Sequence, residues 1–437
     1  GVTYAALNAR LAENGRRFAP DPASGAVCTI GGMLANNASG ARAVKHGYTR
    51  DHVESLRAVL DNGDALTLSR RAVSEAGPVG THIHDIATAL QVLLDQHREL
   101  IAVHKPRTRF DRLGYQLEGV LSEHSLDWPR LLVGSEGTLA LFTEATLRTL
   151  PLPEDRCVLL VTMASLEQAI EVVRRILDTG PSACELIDRR LLSLARVGDN
   201  GPIHAMISPA TEAVLVIEYE SESPHEATRL ATKLRDQLQR DSAVLQVSLA
   251  TDPAQQEHVW QLREVALPNL YGMQGGAQPV PQIEDVGVPV DALHEFLRRA
   301  QDILQEHETT ASFLVHAGAG QVHTRPFLDL QKPEDVSRLW SIADQVHALA
   351  LELGGTVSTQ HGTGLARTPW VARQFGPLYP VLRQVKAIFD PKNIFNPGKI
   401  VDPDPTLATR PLRKLSPTER SLVPLTLYKE PDALFVE

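Results

Sequence analysis

The stretch FLVHAGAGQVHTRPFLDL, residues 313–330, sets His316 and His323 seven positions apart across Gly318, Ala319 and Gly320, with Arg325 two positions further on. It reads as strand, turn, strand, an arrangement in which the two imidazoles can meet beside the turn. Neutral imidazole is a common ligand for zinc or manganese, and a working site needs three or four converging donors. Imidazole also titrates near neutral pH, which suits a general base. A third histidine, His361, stands in the glycine-containing segment STQHGTG. A lone histidine at a strand end is more often a hydrogen-bonded structural group; three in such settings shift the balance toward a site.

A second stretch, CTIGGMLANNASGARAVKHG, is the most unusual in composition. Gly31, Gly32 and Gly40 leave room for close approach to a backbone, and Asn36, Asn37 and Ser39 supply short donors and acceptors. Such a loop can cradle a phosphate or the edge of a ring through backbone N–H groups. Its plainer reading is a tight connection between strands, and composition alone favours that one. The spacing is not G-x-G-x-x-G, and no Lys-Ser/Thr follows the glycines, so neither standard phosphate motif is present.

The elements that position these residues are expected to form two or three domains, because 437 residues exceed one compact core. Residues 3–14 predict an amphipathic helix, and the glycine-rich stretch an ordered loop. Residues 52–69 predict a hairpin with a type I′ turn at Asn62-Gly63, and 83–103 a helix. RLLVGSEGTLALFTEATLRTLPLP predicts strand, turn, strand and a proline stop, which marks the first domain boundary. Beyond it, strands at 156–163, 183–189, 213–220, 243–250 and 311–316 alternate with helices at 165–178, 188–196, 224–240, 291–307 and 333–354. That alternation predicts a sheet covered by helices. A last helix, 380–389, precedes FDPKNIFNPGKIV.

The net charge of −10, without a basic tract, argues against nucleic-acid binding. No apolar run approaches a membrane span and no signal peptide opens the chain, which is compatible with peripheral membrane association at most. Three separated cysteines, Cys28, Cys157 and Cys184, argue against a disulfide framework and for a reduced, cytoplasmic compartment. Gly1 enters a helical segment at once, which suggests a fragment.

Five segments occur in order: PDPASGAVCTIGGMLANNASGARAVKHGYTRDHV, LLVGSEGTLALFTEATLRTLPLP, HAGAGQVH, TQHGTG and IFDPKNIFNPGKI. Together they resemble the FAD-linked oxidases of the vanillyl-alcohol oxidase/p-cresol methylhydroxylase superfamily, in the D-lactate dehydrogenase, glycolate oxidase and D-2-hydroxyglutarate dehydrogenase branch. RLGYQLEGVL, QIEDVGVP and HTRPFLDL are similar to the long members, in which an iron–sulfur domain follows the flavin unit.

The resemblance implies an α+β fold. Its expected parts are the second subdomain of an FAD-binding domain (1–153) and a cap domain with a large antiparallel sheet covered by helices (154–378). A C-terminal return to the FAD domain (379–401) and an extended tail or linker (402–437) would follow. The first FAD subdomain, with its pyrophosphate loop, would precede residue 1. The resemblance also implies that Cys28, Thr29, Gly31, Gly32, Asn36, Asn37, Ser39 and Gly40 line the flavin. Glu136, Gly137 and Thr138 would contact the adenosine half or close the pocket, and Asn396 would approach from the C-terminal side. Noncovalent attachment is the default, although His46 and Cys28 lie in the loop where a covalent link would form.

For chemistry, the resemblance implies oxidation of a 2-hydroxy acid by hydride transfer to FAD, with His361 as base and Arg263 gripping the substrate carboxylate. On sequence alone Arg263 reads as a surface helix arginine paired with Glu257 or Glu264. Arg325 is a second cationic candidate, whereas a family lysine is replaced by Ile283, so lactate-like and dicarboxylate substrates both stand. The metal ligands implied are His316, His323 and the residue before His361, which here is Gln360 instead of glutamate. A neutral amide is the weaker partner for a divalent cation, so a zinc or manganese site and a metal-free acid-binding site are both carried. Electrons would leave to a partner domain or carrier other than NAD, an iron–sulfur cluster lying only outside this chain. The alternatives are a truncated flavin-binding scaffold and a flavoenzyme acting on another alcohol.

Overall fold

The computed structural model describes residues 1–196, 207–271 and 276–406; most of the expected tail at 402–437 lies outside them. The chain forms two compact units. Among the described residues, one comprises Gly1–Leu152, the strap Asp285–Pro289 and residues 350–406; the other comprises the described parts of Pro153–Glu284 and Val290–Leu349.

In the first unit the strands are β1 (Arg16–Arg17), β2 (Val53–Val59), β3 (Ala65–Ala72), β4 (Leu121–Ser122), β5 (Ser125–Asp127), β6 (Leu141–Leu147) and β7 (Leu150–Pro151). Five of them make an antiparallel sheet in the order β4-β5-β3-β2-β6, and β1 pairs with β7. The helix His82–Gln96 buries Ile83, Ile86, Ala87, Leu90, Leu93 and Leu94, the spacing of a helix with one apolar face.

Several local expectations change here. The β2–β3 hairpin forms, but its turn is wider than type I′. Val59 is the last residue paired, with Ala65, and Leu60 N–H donates to the Asp64 carbonyl. A type I′ turn needs positive φ at both central residues, and only Gly63 has it. The glycine-rich loop contains two short helices, Ile30–Asn36 and Ala43–His46. A helix, Trp128–Leu132, replaces the first strand expected around Leu131 and Leu132, because the Asp127 carboxylate caps Arg130 N–H at 3.0 Å and Pro129 sits in the first turn. The return to this unit begins at Ala350, ahead of the expected 379. Backbone bonds explain this: Gly287 and Thr356 exchange N–H···O bonds, and Arg107 and Arg112 N–H groups donate to the Gly354 and Ser358 carbonyls.

The second unit contains β8 (Asp155–Met163), β9 (Ala183–Asp188), β10 (Ala213–Ser221), β11 (Val244–Ala250) and β12 (Gln278–Pro279). The chain then passes through β13 (Glu284–Gly287), which carries it from the second unit into the first, to β14 (Ala311–His316) and β15 (Gln321–Leu328). The antiparallel sheet runs β11-β8-β10-β9-β14-β15-β12. Residues of β8, β9 and β10 are buried almost without alternation, which explains their continuous apolar runs. The helix Leu166–Leu177 buries Ala169, Ile170, Val172, Val173 and Ile176, and Leu293–Glu306 buries Phe296, Leu297, Ala300 and Leu304. This is the expected large sheet with helical cover. The cysteines are free thiols, and no helix among the described residues is long and apolar enough to cross a membrane.

Candidate functional site

The second unit builds its polar cluster on the three adjacent strands β9, β14 and β15. In the β14–β15 register, Leu314 faces His323 and His316 faces Gln321. Residues two apart on a strand share a face, so the two histidines are diagonal neighbours on one side of the sheet. Their ring centroids lie 5.0 Å apart, edge to face, and both are buried. The two histidines therefore do meet.

Each is joined by groups the sequence reading did not single out. Glu185 on β9 is wholly buried, and its Oε1 lies 2.7 Å from His316 Nδ1. A carboxylate only accepts, so Nδ1 carries the proton and Nε2 presents its lone pair when the ring is neutral. The other carboxylate oxygen, Oε2, is 3.3 Å from Arg263 Nε, on the helix Pro253–Tyr271. Arg263 thus pairs with a sheet carboxylate; the Glu264 side chain lies outside the described residues. Arg325, two residues beyond His323 and on the same face, has Nη2 2.6 Å from Glu284 Oε2. The donor atoms of Glu284 and His323 come within 4.8 Å of each other. Ile283, at the position of the family lysine, is fully buried. A signal for Glu185 existed: it is a carboxylate in the middle of the apolar run of the strand ACELID, and a buried charge needs partners.

In the first unit, His361 sits in a loop shaped by Asp285, a buried residue also missed from sequence. The Asp285 carboxylate accepts from Ser358 Oγ (2.6 Å), Thr359 N (3.1 Å), Thr359 Oγ1 (2.8 Å), Gln360 N (2.7 Å) and His361 N (2.8 Å). The His361 side chain is exposed in this structure. Gln360 donates its amide to the Gly40 carbonyl at 3.3 Å.

The glycine-rich stretch has mixed roles. Thr29 Oγ1 caps its helix by accepting from Gly32 N–H. Gly40 is required by the chain itself, since a Cβ there would fall 1.8 Å from the Asp21 carbonyl oxygen. A Cβ on Gly31 would meet nothing within 4 Å. Cys28 is partly buried, which pushes its thiol pKa up, and Asn36 is exposed. Asn37 adopts left-handed backbone and its Oδ1 accepts from Arg50 N–H, while its buried Nδ2 finds no partner among the described residues. The buried Ser39 Oγ is likewise unpartnered. Glu136 accepts from Thr363 and Gly364 N–H at 2.6 and 2.7 Å, capping the helix Gly364–Phe375, and its carbonyl accepts from Asn396 Nδ2. Thr138 is buried, donates to the Ser135 carbonyl and lies 2.6 Å from Tyr115 Oη. A Cβ on Gly137 would meet nothing within 4 Å.

The fold is the α+β architecture of p-cresol methylhydroxylase, with a TM-score of 0.59 at 14% identity over 92% of this chain and 75% of that one. The 4-ethylphenol oxidase of Gulosibacter chungangensis gives 0.60 at 13%, over 92% and 76%. Residues 152–400 match the C-terminal domain of FAD linked oxidases and residues 1–69 match an FAD binding domain; the chain belongs to the FAD-linked oxidase family. It is 31% identical over 423 residues to a D-2-hydroxyglutarate dehydrogenase of Pantoea ananatis, covering 92% of this chain and 41% of that protein. It is 29% identical to a D-lactate dehydrogenase of Archaeoglobus fulgidus, covering 92% and 76%. The chain therefore spans less than half the length of the D-2-hydroxyglutarate dehydrogenases it matches.

The family's cofactor is FAD, and the first unit fits it: Asn37 Nδ2 and Ser39 Oγ are buried polar atoms lacking partners among the described residues, in the loop where a ligand would meet them. For a divalent metal, His323 and Glu284 of the second unit bring donor atoms within 4.8 Å of each other, two of the three or four that zinc or manganese needs.

Proposed function

We propose that this chain carries the flavin and substrate domains of an FAD-dependent dehydrogenase that oxidises a D-2-hydroxy acid to the 2-oxo acid. The substrate is of the lactate, glycolate or 2-hydroxyglutarate type, and electrons pass to a non-NAD acceptor such as an iron–sulfur domain. The observation that carries the reading is the buried set on β9, β14 and β15. There two histidines and Arg325 share one sheet face, and two carboxylates hold Arg263 and Arg325 in fixed orientation. The names of the relatives point the same way.

Bound FAD supplies the hydride acceptor. The rest of the work falls to side chains of this chain. An arginine offers five donors in a planar fork, so Arg263 and Arg325 can each keep one carboxylate partner and still present N–H groups to a substrate anion. Glu185, at His316 Nδ1, selects the neutral tautomer in which Nε2 is the acceptor. His361 takes the hydroxyl proton, and Asp285 fixes the backbone that carries it. A divalent cation held by His316 and His323 would polarise the substrate hydroxyl.

The test is anaerobic bleaching of the flavin in the full-length holoenzyme by D-2-hydroxyglutarate, D-lactate and glycolate, before and after chelation. Bleaching by at least one acid is the expected result. Loss on chelation assigns the histidines to a metal, and persistence assigns them to metal-free acid binding. Failure with all three acids overturns the proposal.

A further inference from the structure

We propose that Gln360 is a positioning residue, fastening the loop that carries His361 to the glycine-rich loop through the Gly40 carbonyl. The inference rests on the hydroxy-acid reading for its purpose, since that reading makes His361 the base, but it stands on contacts inside the first unit. Gln360 Nε2 lies 3.3 Å from the Gly40 carbonyl oxygen. Two oxygens facing each other would repel, so the amide nitrogen is the atom that belongs there. A carboxylate at this position has no proton to give and would set its charge against the carbonyl dipole. The place therefore calls for an amide.

Asp285 fixes the internal shape of the His361 loop, through Ser358, Thr359, Gln360 and His361. Where that loop stands relative to the glycine-rich stretch is set by other bonds. Tyr48 Oη donates to the Thr359 carbonyl at 2.6 Å, from a phenol whose burial pushes its pKa up and keeps it a donor. Gln360 supplies a second tie, one residue from His361. His361 is exposed, so its place depends on how its neighbours are tied. At the other end the Gly40 peptide is pinned: a Cβ there would fall 1.8 Å from the Asp21 carbonyl oxygen, and the Asp21 carboxylate pairs with Arg42 at 2.7 Å. Ser39, next to it, carries one of the buried hydroxyls lacking a partner among the described residues, where FAD would meet the loop. The bond thus joins the residue before the base to the stretch that faces the cofactor. The Gly40 carbonyl also accepts from Ala43 N–H at 3.0 Å, so a variant that loses the amide leaves it partnered and should still fold.

The experiment compares the wild type with Gln360→Glu and Gln360→Met, each as the flavin-loaded full-length protein. Hydrogen–deuterium exchange on peptides covering 356–364, without substrate, should accelerate about two- to tenfold in both variants, the worth of one net hydrogen bond. Flavin reduction by whichever of the three hydroxy acids bleaches the wild type should show a limiting rate lower by about 10–100-fold, as for a displaced catalytic group. The apparent affinity for the acid should stay within about twofold, because the arginines that grip it are untouched. Unchanged exchange in Gln360→Met overturns the proposal, and so does a loss confined to acid affinity. Gln360→Glu reducing its flavin as fast as the wild type also overturns it, because a carboxylate cannot make the bond. If no acid reduces the wild-type flavin, the hydroxy-acid reading fails, and the exchange measurement still decides whether Gln360 holds the loop.

Discussion

Replacing Asp285 by Asn keeps the shape of the side chain and reverses half its chemistry. The native carboxylate accepts five hydrogen bonds from residues 358–361, three of them from backbone N–H groups. An amide keeps one acceptor oxygen and turns an N–H₂ donor toward the other donors. The hydroxyls of Ser358 and Thr359 can rotate away, but at least one buried N–H loses its partner at about 1–3 kcal/mol, and the bonds that remain lose their charge assistance. The expected cost is about 2–4 kcal/mol, and about 3–5 kcal/mol for Asp285→Ala, localised to the loop. Hydrogen–deuterium exchange on peptides covering 356–364 reads this directly. Each 1.4 kcal/mol is tenfold, so exchange should accelerate by roughly thirtyfold to a thousandfold. Peptides from β8 and β10 serve as internal references and should not change. Flavin bleaching by the hydroxy acids should slow as well, since His361 loses its fixed backbone. Unchanged protection of 358–361 in Asp285→Asn would refute the reasoning, because it would mean the loop holds its shape without the carboxylate.

Glu185→Gln should slow anaerobic flavin reduction by about 10–100-fold, the worth of a charge-assisted bond of about 1.5–3 kcal/mol to His316. A rate within twofold of wild type would remove Glu185 from the positioning of that ring. Burial pushes the Asp188 carboxyl up to about 6, against the N–H groups of Leu191 and Phe313, which favour its ionised form. The folded state thus binds this proton more tightly than the unfolded chain, so stability should fall as pH rises from about 4 to 6. Asp188→Asn should flatten that limb of the urea midpoint against pH, and an unaltered slope would count against it. Burial alone would raise Asp390, but Lys386 and the N–H groups of Ile394 and Phe395 outweigh it and hold the pKa below the usual carboxylate range. Its contribution is present above the unfolded carboxylate pKa and lost as pH falls through the depressed one. Lys386→Met breaks this buried pair and should cost about 3–5 kcal/mol in urea denaturation near neutral pH, a loss under 1 kcal/mol being inconsistent with the geometry.

The meeting of His316 and His323 was legible from sequence because it is local. A strand, a short turn and a return strand bring residues seven apart into one register, and alternation puts them on one face. The large sheet with helical cover was legible for a related reason, since strands buried on both sides leave continuous apolar runs. Two short helices, Ile30–Asn36 and Trp128–Leu132, were not legible. Thr29 and Asp127 start them through single capping bonds that outweigh weak intrinsic propensity.

By itself, the sequence determined the strands, the ordered motifs and the residue types available for acid, base and anion binding. Only the tertiary structure decided who pairs with whom. Glu185 reaches His316 across a separation of 131 residues, Glu136 caps a helix that begins at Gly364, and Asp285 organises a loop 73 to 76 residues away. Such pairings follow from strand order and from where the chain crosses between its two units. A buried charge must find partners, but which partners it finds is set by chain topology, and no local pattern records that.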